Sequence, residues 1–114
     1  MKNNIAIAVN KNENIWYGHF GISPYFLIFD NSGKLKDKRI NPHGAGHSQL
    51  YHDNPKLIIE SLNDCDVFVG KKMGAKGKNI LAEKFGIKTI LTKENNVKLF
   101  LKNYLQNIAA GYVK

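Results

Sequence analysis

The run Ile5-Ala6-Ile7-Ala8-Val9 carries no polar side chain at any position. A strand puts successive residues on opposite faces, so a strand made of these residues has nothing to offer water on either side. The run is too short for a buried helix and rich in β-branched residues. It therefore predicts a central strand covered on both faces, which requires a sheet sandwiched between helices. With 114 residues and 43% hydrophobic content the chain has material for one such domain, spanning 1–114, and no room for two.

The remaining segments build that sheet. After a polar, glycine-punctuated stretch at 10–24, Tyr25-Phe-Leu-Ile-Phe29 reads as a strand that ends in the turn signal Asp30-Asn-Ser-Gly33. Lys34-Leu-Lys-Asp-Lys-Arg-Ile40 follows as the second arm of a hairpin, its charges marking an edge strand that resists pairing with other chains. Beyond a loop at 41–53, Asn54-Pro55 sets a cap before a proline at the first helical position, and Leu57, Ile58 and Leu62 supply a short helical stripe. Val67-Phe-Val69, closed by Gly70, is a third buried strand, with Cys65 just ahead of it as a small core residue. A helix is expected over 76–85 with Leu81, Ala82 and Phe85 inward and Gly86 as its C-cap, then a strand over 87–91. Val97, Phe100, Leu101, Tyr104, Leu105 and Ile108 mark a final amphipathic helix stopped near Gly111.

The order β, β, β, α, β, α, β, α makes the fold class α/β. A mixed five-stranded sheet in the order 3-2-1-4-5 is expected, with strand 2 antiparallel and helices on both faces as three layers. That order is the ribonuclease H-like topology. The loops 10–24, 41–53, 70–78 and 92–95 then leave one edge of the sheet, the carboxyl edge where open α/β sheets bind ligands. Ribonuclease H-like nucleases hold two metal ions on carboxylates, some presented from the first strand. Here that strand has none, so hydrolysis of this kind is not expected, nor is any acid–base pair or activated nucleophile in view.

Charge invites a different reading. The chain has 17 basic against 9 acidic residues, a formal net charge of +8. Only Arg39 of those cations is arginine, and base readout favours the arginine fork over the lysine point charge. Weak, salt-sensitive binding of nucleic acid or phosphate anions by the lysine surface is the alternative function; a dedicated nucleic-acid face is disfavoured. No apolar run approaches the roughly 20 residues of a membrane span, the start lacks a signal-peptide core, and a single cysteine excludes an internal disulfide. The chain therefore reads as a soluble cytoplasmic domain without a membrane partner.

Two loops collect all 4 histidines: His19 in one, His43, His47 and His52 in the other. Imidazole is the commonest metal ligand, and glycines around His19 leave room for a bulky group. His19 and His47 are the candidate metal ligands, against the competing reading of exposed loop histidines that bind nothing; His52, beside a helix start, takes the latter reading. Gly70-Lys-Lys-Met-Gly-Ala-Lys-Gly-Lys-Asn79 leads into a helix, where lysines and free backbone N–H groups would make an anion cradle. Tight strand-to-helix packing is the alternative there. Met73 adds a soft thioether to that loop.

These residues carry a family resemblance. His19-Phe-Gly21, Ser23-Pro-Tyr-Phe-Leu-Ile-Phe-Asp30, Asn41-Pro42, Asp64-Cys-Asp-Val-Phe-Val-Gly70, Met73-Gly74 and Phe85-Gly-Ile-Lys-Thr-Ile-Leu91 fall in the order of one family. The chain resembles the nitrogenase iron–molybdenum cofactor biosynthesis family, the group of NifX, NafY core and NifB C-terminal domains. It departs from that pattern in its histidine-rich 41–53 loop and its lysine- and asparagine-rich final segment. The resemblance implies a ribonuclease H-like fold and a non-catalytic carrier of an iron–sulfur or iron–molybdenum-type cluster or precursor. His19 is the residue it points to first. The expected binding set is His19, Phe20, Gly21, His43, His47, Lys71, Lys72, Met73, Gly74 and Lys76. The implied partners are cluster donor and acceptor proteins.

Overall fold

The computed structural model describes residues 4–41 and 55–109. Its five strands are β1 (Asn4–Val9), β2 (Tyr25–Phe29), β3 (Leu35–Ile40), β4 (Cys65–Gly70) and β5 (Lys88–Leu91). The helices are α1 (Pro55–Ser61), α2 (Ala75–Phe85) and α3 (Val97–Ala109), with one 3-10 turn at Phe20–Ile22. The sheet order is β3-β2-β1-β4-β5, as the apolar patterning predicts. β2 runs antiparallel to β1 and to β3, whereas β4 is parallel to β1 and β5 parallel to β4.

β1 divides the interior into two cores. Ile5, Ile7 and Val9 point to one face, where Leu27, Phe29 and Val69 meet Val97, Phe100, Leu101 and Tyr104 of α3. Ala6 and Ala8 point to the other, where Phe26, Ile28 and Phe68 meet Ile58 and Leu62, and Leu81 of α2. All five residues of the run are essentially inaccessible to water. The alternation of large and small side chains along β1 gives each face a different depth: the alanine face admits the rings of Phe26 and Phe68, close packing of the kind cores require.

Three local expectations are corrected. Cys65 lies inside β4 as its first residue, and a register shift between Asn4 and Ile5 leaves Asp66 as an extra residue opposite β1. That bulge turns Cys65 to the same face as Phe68, although they stand three positions apart. In α2, Leu81 is buried but Ala82 and Phe85 are exposed. The cause is the chain reversal at Gly86, which adopts a left-handed conformation (φ 66°). It returns Ile87 beneath the helix end, with its N–H donating to the Leu81 carbonyl at 2.9 Å, and Ile87 occupies the space expected for Phe85. The third correction concerns Arg39, which does more than shield the edge strand. Its guanidinium grips Asp64 with both arms at 2.7 Å and reaches the Ser61 carbonyl at 3.2 Å, tying β3 to the turn between α1 and β4.

That clamp makes stability depend on pH. The guanidinium holds the Asp64 carboxyl well below the ordinary carboxylate range. The folded state therefore binds this proton more weakly than the unfolded chain. The stabilisation is complete above the unfolded value of roughly 4 and is lost as pH falls below it. Because the Asp64 side chain is 40% exposed, solvent screening trims the effect. Replacing Asp64 with Asn should lower unfolding free energy by about 1 kcal/mol at neutral pH, a charge-assisted bond discounted for exposure. Urea melts of both proteins at neutral and strongly acidic pH check this: the gap should shrink on acidification.

Candidate functional site

β1, β3, β4 and β5 share one direction, so the segments that follow them converge on one edge of the sheet. The segment after β1 is built from its first residue. The Asn10 side-chain oxygen accepts the N–H groups of Asn12 and Asn14 at 3.0 Å each, which bends the chain back on itself. Ile15 then bonds to Asn95 across the sheet edge, and the Trp16 N–H donates to the Ala8 carbonyl at 2.9 Å. Although polar in composition, this segment buries Ile15, Phe20 and Ser23.

Phe20 fixes the next turn. Its ring sits 5.0 Å from both Phe26 and Phe68, stacked on the latter, and is 3% exposed. Its backbone N–H donates to the Lys72 carbonyl at 2.9 Å. His19 and Lys72 thus pair as an isolated parallel bridge, and both are exposed. This brings the imidazole segment against the loop after β4. Asn41, buried at the end of β3, secures the same turn from the other side by donating to the Gly21 and Ser23 carbonyls at 3.0 and 2.8 Å.

The loop after β4 completes the edge. Lys71 Nζ bonds to the Asn95 side chain, Lys72 stands beside His19, and Met73 packs partly buried on the second core. Gly74 caps α2 without a side-chain hydrogen bond, and the space where its Cβ or that of Gly77 would lie is open. The first N–H groups of α2 have no partner within the helix and stand at the positive end of its dipole, a setting that favours an anion. Lys76 lies in that first turn.

Of the expected binding residues, His19, Lys71, Lys72, Met73 and Gly74 gather at this edge. Phe20 does not belong to its surface: the ring is committed to the core, and it acts by anchoring His19. Gly21 contributes a carbonyl already taken by Asn41. His43, His47 and His52 lie outside the described residues. Asn41, where their segment departs, adjoins Gly21 at the same edge. Among the described residues, no three His, Cys, Asp or Glu side chains converge in a way that would hold a metal ion.

Asp30 and Cys65 have structural roles. Asp30 ends β2 at the opposite edge, where one carboxylate oxygen accepts bonds from the Ser32 and Lys34 N–H groups and the Ser32 hydroxyl. Burial pushes the Cys65 thiol up to about 12, so it remains protonated and unreactive at neutral pH. A separate groove of about 760 Å³ runs between α3 and the β2–β3 hairpin, lined by apolar side chains such as Leu27, Leu35 and Leu101 together with polar ones such as Glu13, Asn96 and Lys102. It offers no imidazole or thiol.

Sequence reading missed Trp16, which has no motif around it. Its indole packs on the second core, its ring centre 4.5 Å from that of the exposed Tyr17. A Cβ on Gly18 would fall 2.8 Å from the indole nitrogen, inside any normal contact. Gly18→Ala should therefore displace either the indole or the His19 segment and lower stability by about 1–3 kcal/mol. A shift in tryptophan emission together with the urea midpoint checks this, since the chain has 1 Trp.

Comparison with known proteins bears on this edge. Two solved structures share the fold. The apo form of the orange protein from Desulfovibrio gigas superposes with a TM-score of 0.66 at 16% identity, covering 100% of this chain and 92% of its own. The crystal structure of PH0822 gives 0.58 at 17% identity, with 97% and 92% covered. Among curated protein sequences none matches. The family model described as dinitrogenase iron-molybdenum cofactor matches residues 1–107, nearly the whole chain and all of the edge just described. On that match, the chain belongs to the dinitrogenase iron-molybdenum cofactor family.

Proposed function

We propose that this protein is a single-domain, non-catalytic carrier that receives an iron–sulfur or iron–molybdenum-type cluster, or a precursor of one, and passes it to another protein. The observation that carries this reading is the backbone pairing of His19 with Lys72 at the open N-terminus of α2. A metal–sulfide cluster is a compact anion with metal atoms at its surface. An imidazole ligates such a metal, while a lysine and free helix N–H groups neutralise the sulfide charge. The residues present suit that cargo. Membership of the dinitrogenase iron-molybdenum cofactor family supports the choice of cargo class.

A carrier must also let go. One imidazole set among point charges gives a hold that a recipient with more ligands displaces, and lysine ammonium groups exchange partners readily. Phe20 keeps His19 in place without itself touching the cargo, so the site is positioned before the cluster arrives. His47 is proposed as a second ligand from the 41–53 loop, and His43 as its neighbour in the binding set. Cluster donor and acceptor proteins are the partners this role requires. No described helix is long and apolar enough to cross a membrane. The alternative of nucleic-acid binding draws no support from the family match.

Anaerobic reconstitution with iron and sulfide, followed by desalting, metal analysis and visible absorption, tests the proposal. Stoichiometric uptake is expected, and uptake of no metal at all would end the carrier reading. His19→Ala should weaken retention at least about tenfold, the scale of losing a metal-site residue. Lys72→Gln should weaken it about threefold at low ionic strength, with the difference disappearing in high salt as screening removes an exposed charge's contribution. Equal retention by His19→Ala and the unaltered protein would remove His19 from the site.

A further inference from the structure

We propose that Trp16 is a binding residue of this site, its indole N–H donating a hydrogen bond to a sulfide or oxo atom of the bound anion; the inference rests on the carrier reading above. An indole nitrogen is a donor only and has no acceptor role to fall back on. Buried donors in folded proteins have partners, and an exception requires an explanation such as a ligand. Trp16 Nε1 is such an exception. It is buried, and among the described residues no acceptor lies within hydrogen-bond reach.

Its position supplies the explanation. The nitrogen lies 2.8 Å from where a Cβ on Gly18 would stand, so it packs close to the backbone at Gly18. Gly18 immediately precedes His19, so the donor lies beside the segment that pairs with Lys72. The indole itself is steadied from below by the second core, with Met73 partly buried on the same cluster, and from the side by Tyr17. Tyr17 is 68% exposed, so the short segment over the indole is not locked by core packing of its own. Gly18 brings no side chain into the gap. Binding at Nε1 requires Tyr17 and Gly18 to move outward while Phe20 stays anchored in the core and holds His19.

The chemistry of the ligand complements this. Sulfide and oxo atoms of a metal–sulfur anion accept hydrogen bonds and donate none. Lysines and helix N–H groups neutralise the anion from the α2 side; the indole adds a fixed, uncharged donor from the β1 side. A neutral donor is insensitive to ionic strength, which separates its contribution from that of Lys71 and Lys72.

The probe is tetrathiomolybdate, added anaerobically to uniformly ¹⁵N-labelled protein, with bound molybdenum measured after gel filtration. The chain has 1 Trp, so one indole N–H resonance reports Trp16. As molybdenum binds, that resonance should move downfield and exchange more slowly with solvent. Trp16→Phe keeps an aromatic ring but removes the donor, and should weaken molybdenum retention about tenfold at both low and high salt, the scale of one charge-assisted hydrogen bond. An unmoved indole resonance with molybdenum bound would overturn the role of Trp16 and leave the carrier reading standing. Equal retention by Trp16→Phe would do the same. If the unaltered protein retains no molybdenum, the role of Trp16 falls, while the carrier reading is decided by the reconstitution with iron and sulfide. Should Trp16→Phe not fold, the indole resonance of the unaltered protein decides the matter.

Discussion

Everything in this molecule is organised by the burial of β1 on both faces. A strand with no polar side chain must be covered twice, and the two covers differ because isoleucines face one way and alanines the other. α3 closes the isoleucine face, and the α1–α2 layer closes the alanine face together with the rings of Phe26 and Phe68. Once β1 is central with β4 and β5 parallel beside it, the β4–α2–β5 connection must leave from the carboxyl edge. The site is a consequence of that constraint. Phe20 reaches into the alanine-face core from the loop after β1, and its N–H to Lys72 stitches that loop to the start of α2.

Composition alone would suggest a nucleic-acid-binding protein, yet the distribution of charge says otherwise. The one arginine, the residue best suited to reading bases, is engaged with Asp64 in holding the edge strand to the body of the fold. Lys38 on the same strand pairs with Glu13 at 2.9 Å. Lys71 and Lys72 stand at the carboxyl edge, Lys72 paired with His19, in the segment that leads into α2. The informative part of the positive charge is local.

Much of the fold was legible because β-branched runs and helical stripes are local signals that burial obeys. β1 and β2 have the expected bounds, and α3 buries Val97, Phe100, Leu101 and Tyr104 as its spacing requires. What escaped was set by tertiary geometry. A bulge at Asp66 reassigns Cys65, and a left-handed Gly86 gives Ile87 the berth expected for Phe85. The site was half legible. His19, the lysines and Gly74 stand out by residue type, but Phe20 proved an anchor because its ring stacks on Phe68, which is remote in sequence. Trp16 had no motif at all, and Asn41 stood out only as part of Asn41-Pro42; what marks them in the fold is one N–H without a partner among the described residues and two long-range hydrogen bonds.

The central claim is that the carboxyl edge, and not the apolar groove beside α3, receives the anionic cargo. Amide hydrogen exchange with and without a bound metal–sulfide anion tests it most directly. The account predicts slowed exchange confined to residues 16–22 and 71–78. Protection concentrated instead in α3 and the β2–β3 hairpin, with the His19 and Lys72 amides unchanged, would contradict it.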